Sequence, residues 1–317
     1  MPTLLLRESD VHALIGMPEA IEAVTLAFHE QAQGTGINEP RRRVRQPKGT
    51  LHMMGGALLK RGYWGLKAYT ATREAVRFLV HLYDVTSGAL LAIIEADLIG
   101  QLRTGAASGI ATRLLAHPDA GVLALFGAGF QAESQLEAIA AVRQLREVRV
   151  YSRTPANREE FATRMGSNLG LSIYPVETPS DAIAGADIIT TITNAMGPVF
   201  TGTEIVPGTH INAAGSNAAI RVELDLNTIR RAAPIFTDDL AQTRIESGNM
   251  ITANERNALD WARVRPLADL VAGLCVGRTD PHQITLFESH GLAIWDIALA
   301  ATVYERAREK GLGLEVW

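Results

Sequence analysis

Three groups of residues in this chain could do chemistry. The segment LALFGAGFQAESQLEAIA holds Gly127, Gly129 and Ala132 in G-x-G-x-x-A spacing. RRRVRQPKGTLHMM, residues 41–54, places Arg41, Arg42, Arg43 and Arg45 within five positions. Lys67 in YWGLKAY and Arg103 in IGQLRTGAASGIATRLLA are cations set among apolar or small residues. The glycine pattern alone is weak, but here a buried-type apolar run leads in and an amphipathic helix leads out. In that context Gly127 makes a tight turn, Gly129 lets a pyrophosphate approach the backbone, and Ala132 permits close helix–strand packing. The phosphates would rest on free N–H groups at the helix N-terminus, where the helix dipole favours an anion. The competing reading is a plain βα turn.

The next strand end bears on which dinucleotide is held. A site for NAD usually carries Asp or Glu about 20 residues on, bonding the ribose 2′-hydroxyl. EVRVYSRTPANR instead ends in Ser152, Arg153 and Thr154, 25 to 27 positions after Gly127, with Arg158 beyond. Those residue types suit a 2′-phosphate, so NADP (as NADPH) is expected, with NAD possible. Arg153 could otherwise be an exposed turn residue stacking on adenine.

The arginine run has three readings: a solvated charged strand, a nucleic-acid patch, or the anion clamp of an enzyme. A net charge of −4 speaks against general binding to a phosphate backbone. A guanidinium fork grips a carboxylate through two hydrogen bonds, which lysine cannot do. Lysine is seldom fully buried without a partner, so Lys67 is either a surface residue or part of a site. Arg103, followed by the small residues from Thr104 to Ser108, is either a surface ion pair or a ligand contact.

The elements that must position these groups can be read from periodicity. MPEAIEAVTLAFHEQAQG sets Ile21, Val24, Ala27 and Phe28 on one helical stripe, ended by Gly34. GTLHMM, WGLKAYTA, RFLVHLYDV and ALLAIIEA read as strands, and residues 97–115 as a helix broken by HPDAG. From Gly121 onward, strands alternate with helices, starting with the continuous apolar run GVLALF. This predicts an α/β fold: a Rossmann-type doubly wound parallel sheet plus an N-terminal α+β domain. The stretch from Gly291 reads as one long amphipathic helix that returns to complete the N-terminal domain. The expected domains are 1–117 with 291–317, and 118–290.

Other features exclude function classes. The chain is 47% hydrophobic and 20% charged over 317 residues, enough for a sizeable core. The one cysteine, Cys275, is expected to be a buried, inert thiol, and the composition suits a reducing compartment. The N-terminus does not read as a signal peptide, and no charge-free run of about 18 apolar residues occurs. A cytoplasmic protein with no membrane or nucleic-acid partner is expected. The eight histidines show no metal-ligand spacing. His290 and Asp296 are read as structural, and Asp238–Asp239 as a strand end capping the next helix.

With GTLHMM, GLKAY, LRTGAASGIATRLLA, FGAGFQA, VYSRT, INAAGSN with ELD after it, and ITLFESHGLAIWD in order, the sequence resembles the ornithine cyclodeaminase/μ-crystallin family. The resemblance implies an N-terminal substrate and dimerisation domain, a Rossmann domain, and action on small α-amino or α-imino acids. It implies that one arginine of the cluster, Lys67 and Arg103 bind the substrate carboxylate. That arginine is placed at Arg42, two after Pro40, with Arg45 and Met54 also toward the substrate. Strict alternation along a strand would put Arg41, Arg43 and Arg45 on the face opposite Arg42, so which arginine of 41–45 faces the substrate stays open. Expected cofactor contacts are Thr104, the turn Gly127, Ala128, Gly129, Phe130 and Gln131, and the tip Ser152, Arg153 and Thr154. Thr191, Thr193, Gly215, Ser216 and Leu292 complete them.

One departure matters. The cyclodeaminase branch carries a catalytic aspartate where this chain has Asn217. An amide cannot act as a general base or supply negative charge. Asn217 could instead hydrogen-bond the nicotinamide or the backbone. The resemblance therefore implies an NADPH-dependent homodimeric imine reductase, taking Δ1-pyrroline-2-carboxylate or Δ1-piperideine-2-carboxylate to proline or pipecolate. Lys67, Arg103 and Asn217 would be its catalytic residues. Alternatives are an ornithine cyclodeaminase, an alanine dehydrogenase-like enzyme, or a non-catalytic NADPH binder.

Overall fold

Two sheets organise the chain, each built on the apolar runs seen in the sequence. The computed structural model describes residues 2–72 and 76–316. It divides into Met1–Arg103 with Gly291–Trp317, and Thr104–His290. The first unit begins with β1 (Thr3–Leu6), α1 (Glu8–Leu14), α2 (Met17–Ala32), β2 (Gly36–Asn38) and β3 (Arg42–Gln46). β4 (Gly49–Leu58), β5 (Tyr63–Thr72), β6 (Val76–Asp84), β7 (Leu90–Glu95) and α3 (Asp97–Leu115) follow.

The second unit alternates strictly through β8 (Val122–Phe126), α4 (Phe130–Val142), β9 (Glu147–Tyr151), α5 (Pro155–Leu169), β10 (Ile173–Pro175), α6 (Pro179–Ile183) and β11 (Ile188–Thr191). It continues with β12 (His210–Ala213), α7 (Leu226–Arg231), β13 (Ala232–Thr237), α8 (Leu240–Glu246), α9 (Gly248–Glu255), β14 (Val264–Pro266), α10 (Leu267–Val271) and β15 (Ile284–Glu288). The chain then returns to the first unit as α11 (Ala293–Lys310) and β16 (Leu314–Val316).

In the first unit the strand order is β16-β1-β7-β6-β5-β4-β2, with β3 paired to β4. β4 and β5 are antiparallel with Met54 opposite Lys67. Residues two apart on a strand share a face. Gly65 packs against Ile297 of α11 and Gly56 against Ile294, so Lys67 and Met54 lie on the helix-covered face. Phe28 and Trp295 meet edge to face at 5.2 Å, tying α2 to α11. Helix α11 is buried along most of its length, as expected for a helix completing a core.

The second unit has the order β10-β9-β8-β11-β12-β15-β13-β14, all parallel. The chain reverses direction of travel across β8, with β9 on one side and β11 on the other. That is the switch point where open α/β sheets bind ligands. The division between units falls inside α3 rather than at its end. The second half of α3 is held by this unit: the Arg143 guanidinium donates to the carbonyls of Thr112, Arg113, Ala116 and His117, closing the helix C-terminus. Asn212 Nδ2 donates to Thr112 Oγ1 at 2.9 Å. Cys275 lies in a loop and is partly exposed, not buried, since no regular element covers that segment.

Candidate functional site

The nucleotide cradle lies wholly in the second unit. β8 ends at Phe126, and Gly127 turns the chain with φ +116°, a region that L side chains rarely adopt. A Cβ there would lie 2.6 Å from the Ile192 carbonyl oxygen, so glycine is required twice over. Gly129 is the N-cap of α4 and carries no side-chain cap, leaving backbone N–H groups for an outside acceptor. A Cβ at Gly129 would meet nothing within 4 Å. The opening at this turn leads into a cavity of about 550 Å³. Gly127, Ala128, Gly129, Phe130 and Gln131 line its middle, and Ser152, Arg153 and Thr154 its β9 end. Thr193, Asn194, Gly215, Asn217 and Arg221 line the β11–β12 end.

An outside phosphate donor-set, glycine clearance and cavity size all fit a dinucleotide. Arg153 is exposed at the rim, while Arg158 is turned inward to donate to the Ser152 carbonyl at 2.9 Å, bracing the tip. The Asn217 amide oxygen accepts from Arg221 Nη1 at 2.9 Å. Thr191 and Ser216 are fully buried behind the lining, Thr191 Oγ1 bonding Glu223 and Ser216 Oγ donating to the Arg221 carbonyl. Thr104, whose carbonyl accepts from Gln135 Nε2, is also outside the lining. Leu292 belongs to the first unit, where it is the fully buried N-cap of α11.

A second constellation lies in the first unit. Lys67 is fully buried on β5, and its Nζ donates to Asp296 Oδ1 at 2.6 Å. Arg103 Nε lies 3.4 Å from the same oxygen. Arg41 is also buried, its Nε 3.3 Å from Met54 Sδ. The Lys67 ammonium stands 4.6 Å from the Phe78 ring centroid. Burial pulls the Lys67 pKa down to about 8, Asp296 opposing and the Arg103 and Arg41 charges adding to the fall. Lys67 and Arg103 thus share one carboxylate, and Arg41 lies near enough to act on Lys67, so the cluster has positive charge in excess and suits an anion. Among the described residues, buried Asp296 Oδ2 finds no hydrogen-bond partner.

One expectation is corrected here. The inward arginine is Arg41, not Arg42. β3 pairs only with β4, and four of its five residues are exposed, Arg42 and Arg45 among them. Arg42 therefore points to solvent, and Arg41, ahead of the strand, is buried beside Met54. Asp296, expected to be structural, is the counter-ion of Lys67 and Arg103, a partnership that the sequence alone does not reveal. Its sequence distance from them, over 190 residues, hid it. The one signal was a carboxylate in the first turn of a helix whose N-terminal half is otherwise apolar and buried, where an uncompensated charge would be prohibitive. Glu223, in the quoted ELD, was likewise not assigned a role.

A Rossmann unit with a glycine cradle and a separate α+β unit with a buried cationic cluster define a class of nicotinamide-dinucleotide proteins handling small carboxylates. The chain belongs to the ornithine cyclodeaminase/mu-crystallin family, whose model matches residues 1–311. It is 34% identical to an alanine dehydrogenase of Archaeoglobus fulgidus over 100% of this chain and 98% of that one. It is 31% identical to a Δ1-pyrroline-2-carboxylate reductase of Bacillus cereus, covering 99% of each chain. A Thermococcus litoralis Δ1-pyrroline-2-carboxylate reductase, solved with NADH and L-proline, superposes with a TM-score of 0.95 at 36% identity. That match covers 99% of this chain and 100% of the other.

Proposed function

We propose that the protein is an NAD(P)H-dependent imine reductase that converts a small cyclic ketimine carboxylate, Δ1-pyrroline-2-carboxylate or its six-membered homologue, to the L-amino acid. The observation that carries this over ornithine cyclodeamination is Asn217, an amide bound to Arg221 where the cyclodeaminases have an acid. The first unit is the substrate domain and the second the nucleotide domain.

The carboxylate of the substrate is gripped by Arg41 and Arg103, with Lys67 beside them. Asp296 fixes the Lys67 ammonium through Oδ1, and its second oxygen accepts from the substrate nitrogen. When bound, the nicotinamide supplies the hydride that the C=N carbon receives. The ketimine nitrogen is already protonated, or nearly so, near neutral pH, so the chain need not provide a strong acid. What the residues must do is hold the carbon in place and exclude water. The tip Ser152-Arg153-Thr154 supports NADP over NAD.

The protein works as a cytoplasmic homodimer in this reading. The relatives include an archaeal alanine dehydrogenase solved as a dimer. In the first unit, Ile37, Trp64, Leu66 and Tyr83 line an open apolar depression of about 540 Å³, a surface suited to burial against another chain. No single helix among the described residues is long and apolar enough to cross a membrane.

NADPH oxidation screened against Δ1-pyrroline-2-carboxylate, Δ1-piperideine-2-carboxylate, and pyruvate with ammonia or methylamine tests the reading. Turnover with a cyclic ketimine, and no proline from ornithine with oxidised cofactor, is expected. Proline accumulating from ornithine would restore the cyclodeaminase, and turnover confined to pyruvate with ammonia would favour an alanine dehydrogenase. Asn217→Asp alone is expected not to create cyclodeamination, because the distal amine of a diamine needs its own pocket.

A further inference from the structure

We infer that Glu223 is a positioning residue that shapes the nicotinamide end of the nucleotide cavity. This rests on the reading of that cavity as a dinucleotide site. Glu223 is fully buried and touches no bulk solvent. Its carboxylate is the shared acceptor for two segments that build the β11–β12 end. Oε1 accepts from Thr193 N at 2.6 Å and Thr193 Oγ1 at 2.7 Å. Oε2 accepts from Thr191 Oγ1 at 2.8 Å and Gly215 N at 2.9 Å. Thr193 and Gly215 both line the cavity.

The geometry explains why a carboxylate stands there. Beyond the last ladder pairs of β11 and β12, the N–H groups of Thr193 and Gly215 need buried acceptors. One acceptor serves both and so fixes the gap between the two strand ends. Gly215 is so close that an added Cβ would collide with the Thr193 carbonyl oxygen and come within 2.5 Å of Glu223 Oε1. Glu223 is itself anchored: its N–H donates to Asn249 Oδ1 at 2.7 Å, and its carbonyl accepts from Val199 N at 2.9 Å. An amide in its place would turn an NH2 group toward the N–H of Thr193 or of Gly215, leaving that buried backbone donor without its acceptor. Among the described residues, Glu223 forms no bond to the adenosine end, at Gly129 and Arg153.

The test is a comparison of two ligands on the intact protein: NADPH, which fills both ends, and 2′,5′-ADP, which fills only the adenosine end. Glu223→Gln is expected to weaken NADPH binding by about tenfold or more while leaving 2′,5′-ADP affinity within about twofold. Thr191→Val, which removes one donor from behind the lining, covers the case in which Glu223→Gln does not fold. It is expected to give a smaller loss for NADPH and again none for 2′,5′-ADP. Equal losses for both ligands, or no loss for either, would overturn the inference. Failure of the unmodified protein to bind NADPH, NADH and 2′,5′-ADP alike would instead overturn the reading of the cavity, and this inference with it.

Discussion

The two units hold their chemistry by different physical means. In the second, the cradle is mostly backbone: a glycine turn, the open end of α4 and strand ends braced by one carboxylate. In the first, it is wholly side chain: Arg41, Lys67, Arg103 and Asp296 converge from a strand margin, a mid-sheet strand and two helices. A backbone cradle tolerates most side-chain changes because its donors survive them. A buried charge cluster does not, since removing one member leaves the others uncompensated. Substitutions in the two regions should therefore differ in size, in pH dependence and in which ligand they affect.

The largest effect is expected at the centre of the charge cluster. In the proposed function, Lys67→Ala or Arg103→Ala deletes a buried charged contact to the substrate carboxylate. Truncating one partner of such a pair costs about 2–5 kcal/mol, so kcat/KM should fall by roughly 30-fold or more. NADPH binding, measured by fluorescence titration, should stay near normal because the cradle is untouched. Near-normal kcat/KM in either variant would remove that residue from the substrate site. Loss of NADPH binding would show that the two regions are not independent.

Next in size is the contrast between neighbours in the arginine run. Arg41→Ala should cost roughly tenfold or more in kcat/KM, as a buried charge beside Met54 and Lys67. Arg42→Ala, exposed on β3, should change it by no more than about twofold. The reverse result would return the substrate role to Arg42 and imply that β3 closes onto ligand.

These two experiments bear on how far the sequence could be read. The nucleotide cradle was legible because its parts are contiguous: strand, glycines and helix follow within about 20 residues, each with a fixed job. The α3 span, the alternating second unit and the return of α11 followed from periodicity for the same reason. The substrate cluster has no local grammar. Arg41 rather than Arg42 depends on where β3 loses its cover, and Asp296 depends on α11 crossing the covered face of β5. The short strand β1 and the edge strand β16, paired antiparallel at Thr3–Val316 to Leu5–Leu314, were unreadable too. Three or four residues carry too little pattern, and their partner lies at the other end of the chain.

A smaller, graded effect is expected from pH. Lys67 has its pKa lowered from the usual lysine value to about 8, burial being the main cause. The charged form attracts the substrate carboxylate, so kcat/KM should be high below about pH 8 and fall as pH rises through it. Asp296→Asn removes the negative charge that sustains the ammonium, so the falling limb should move to lower pH. Lys67→Arg should push the limb beyond the measurable range, because guanidinium does not titrate there. A limb that is unmoved in both variants would belong to another group.

The smallest effect should appear at the rim of the cradle, and it is the sharpest test of what a backbone site leaves to side chains. In the proposed function the glycine turn holds a pyrophosphate common to both dinucleotides, so it cannot tell them apart. Only the β9 tip can, and it offers Ser152, Arg153 and Thr154 without a carboxylate. A 2′-phosphate gains from a guanidinium, but Arg153 is exposed, and solvent screens such contacts. Arg153→Ala should therefore weaken NADPH by about fivefold and leave NADH nearly unchanged, narrowing the preference without abolishing turnover. Raising salt should narrow it in the unmodified protein as well. If NADH already gives equal or better kcat/KM, Arg153 does not select the phosphate, and the tip serves only to cover the adenine.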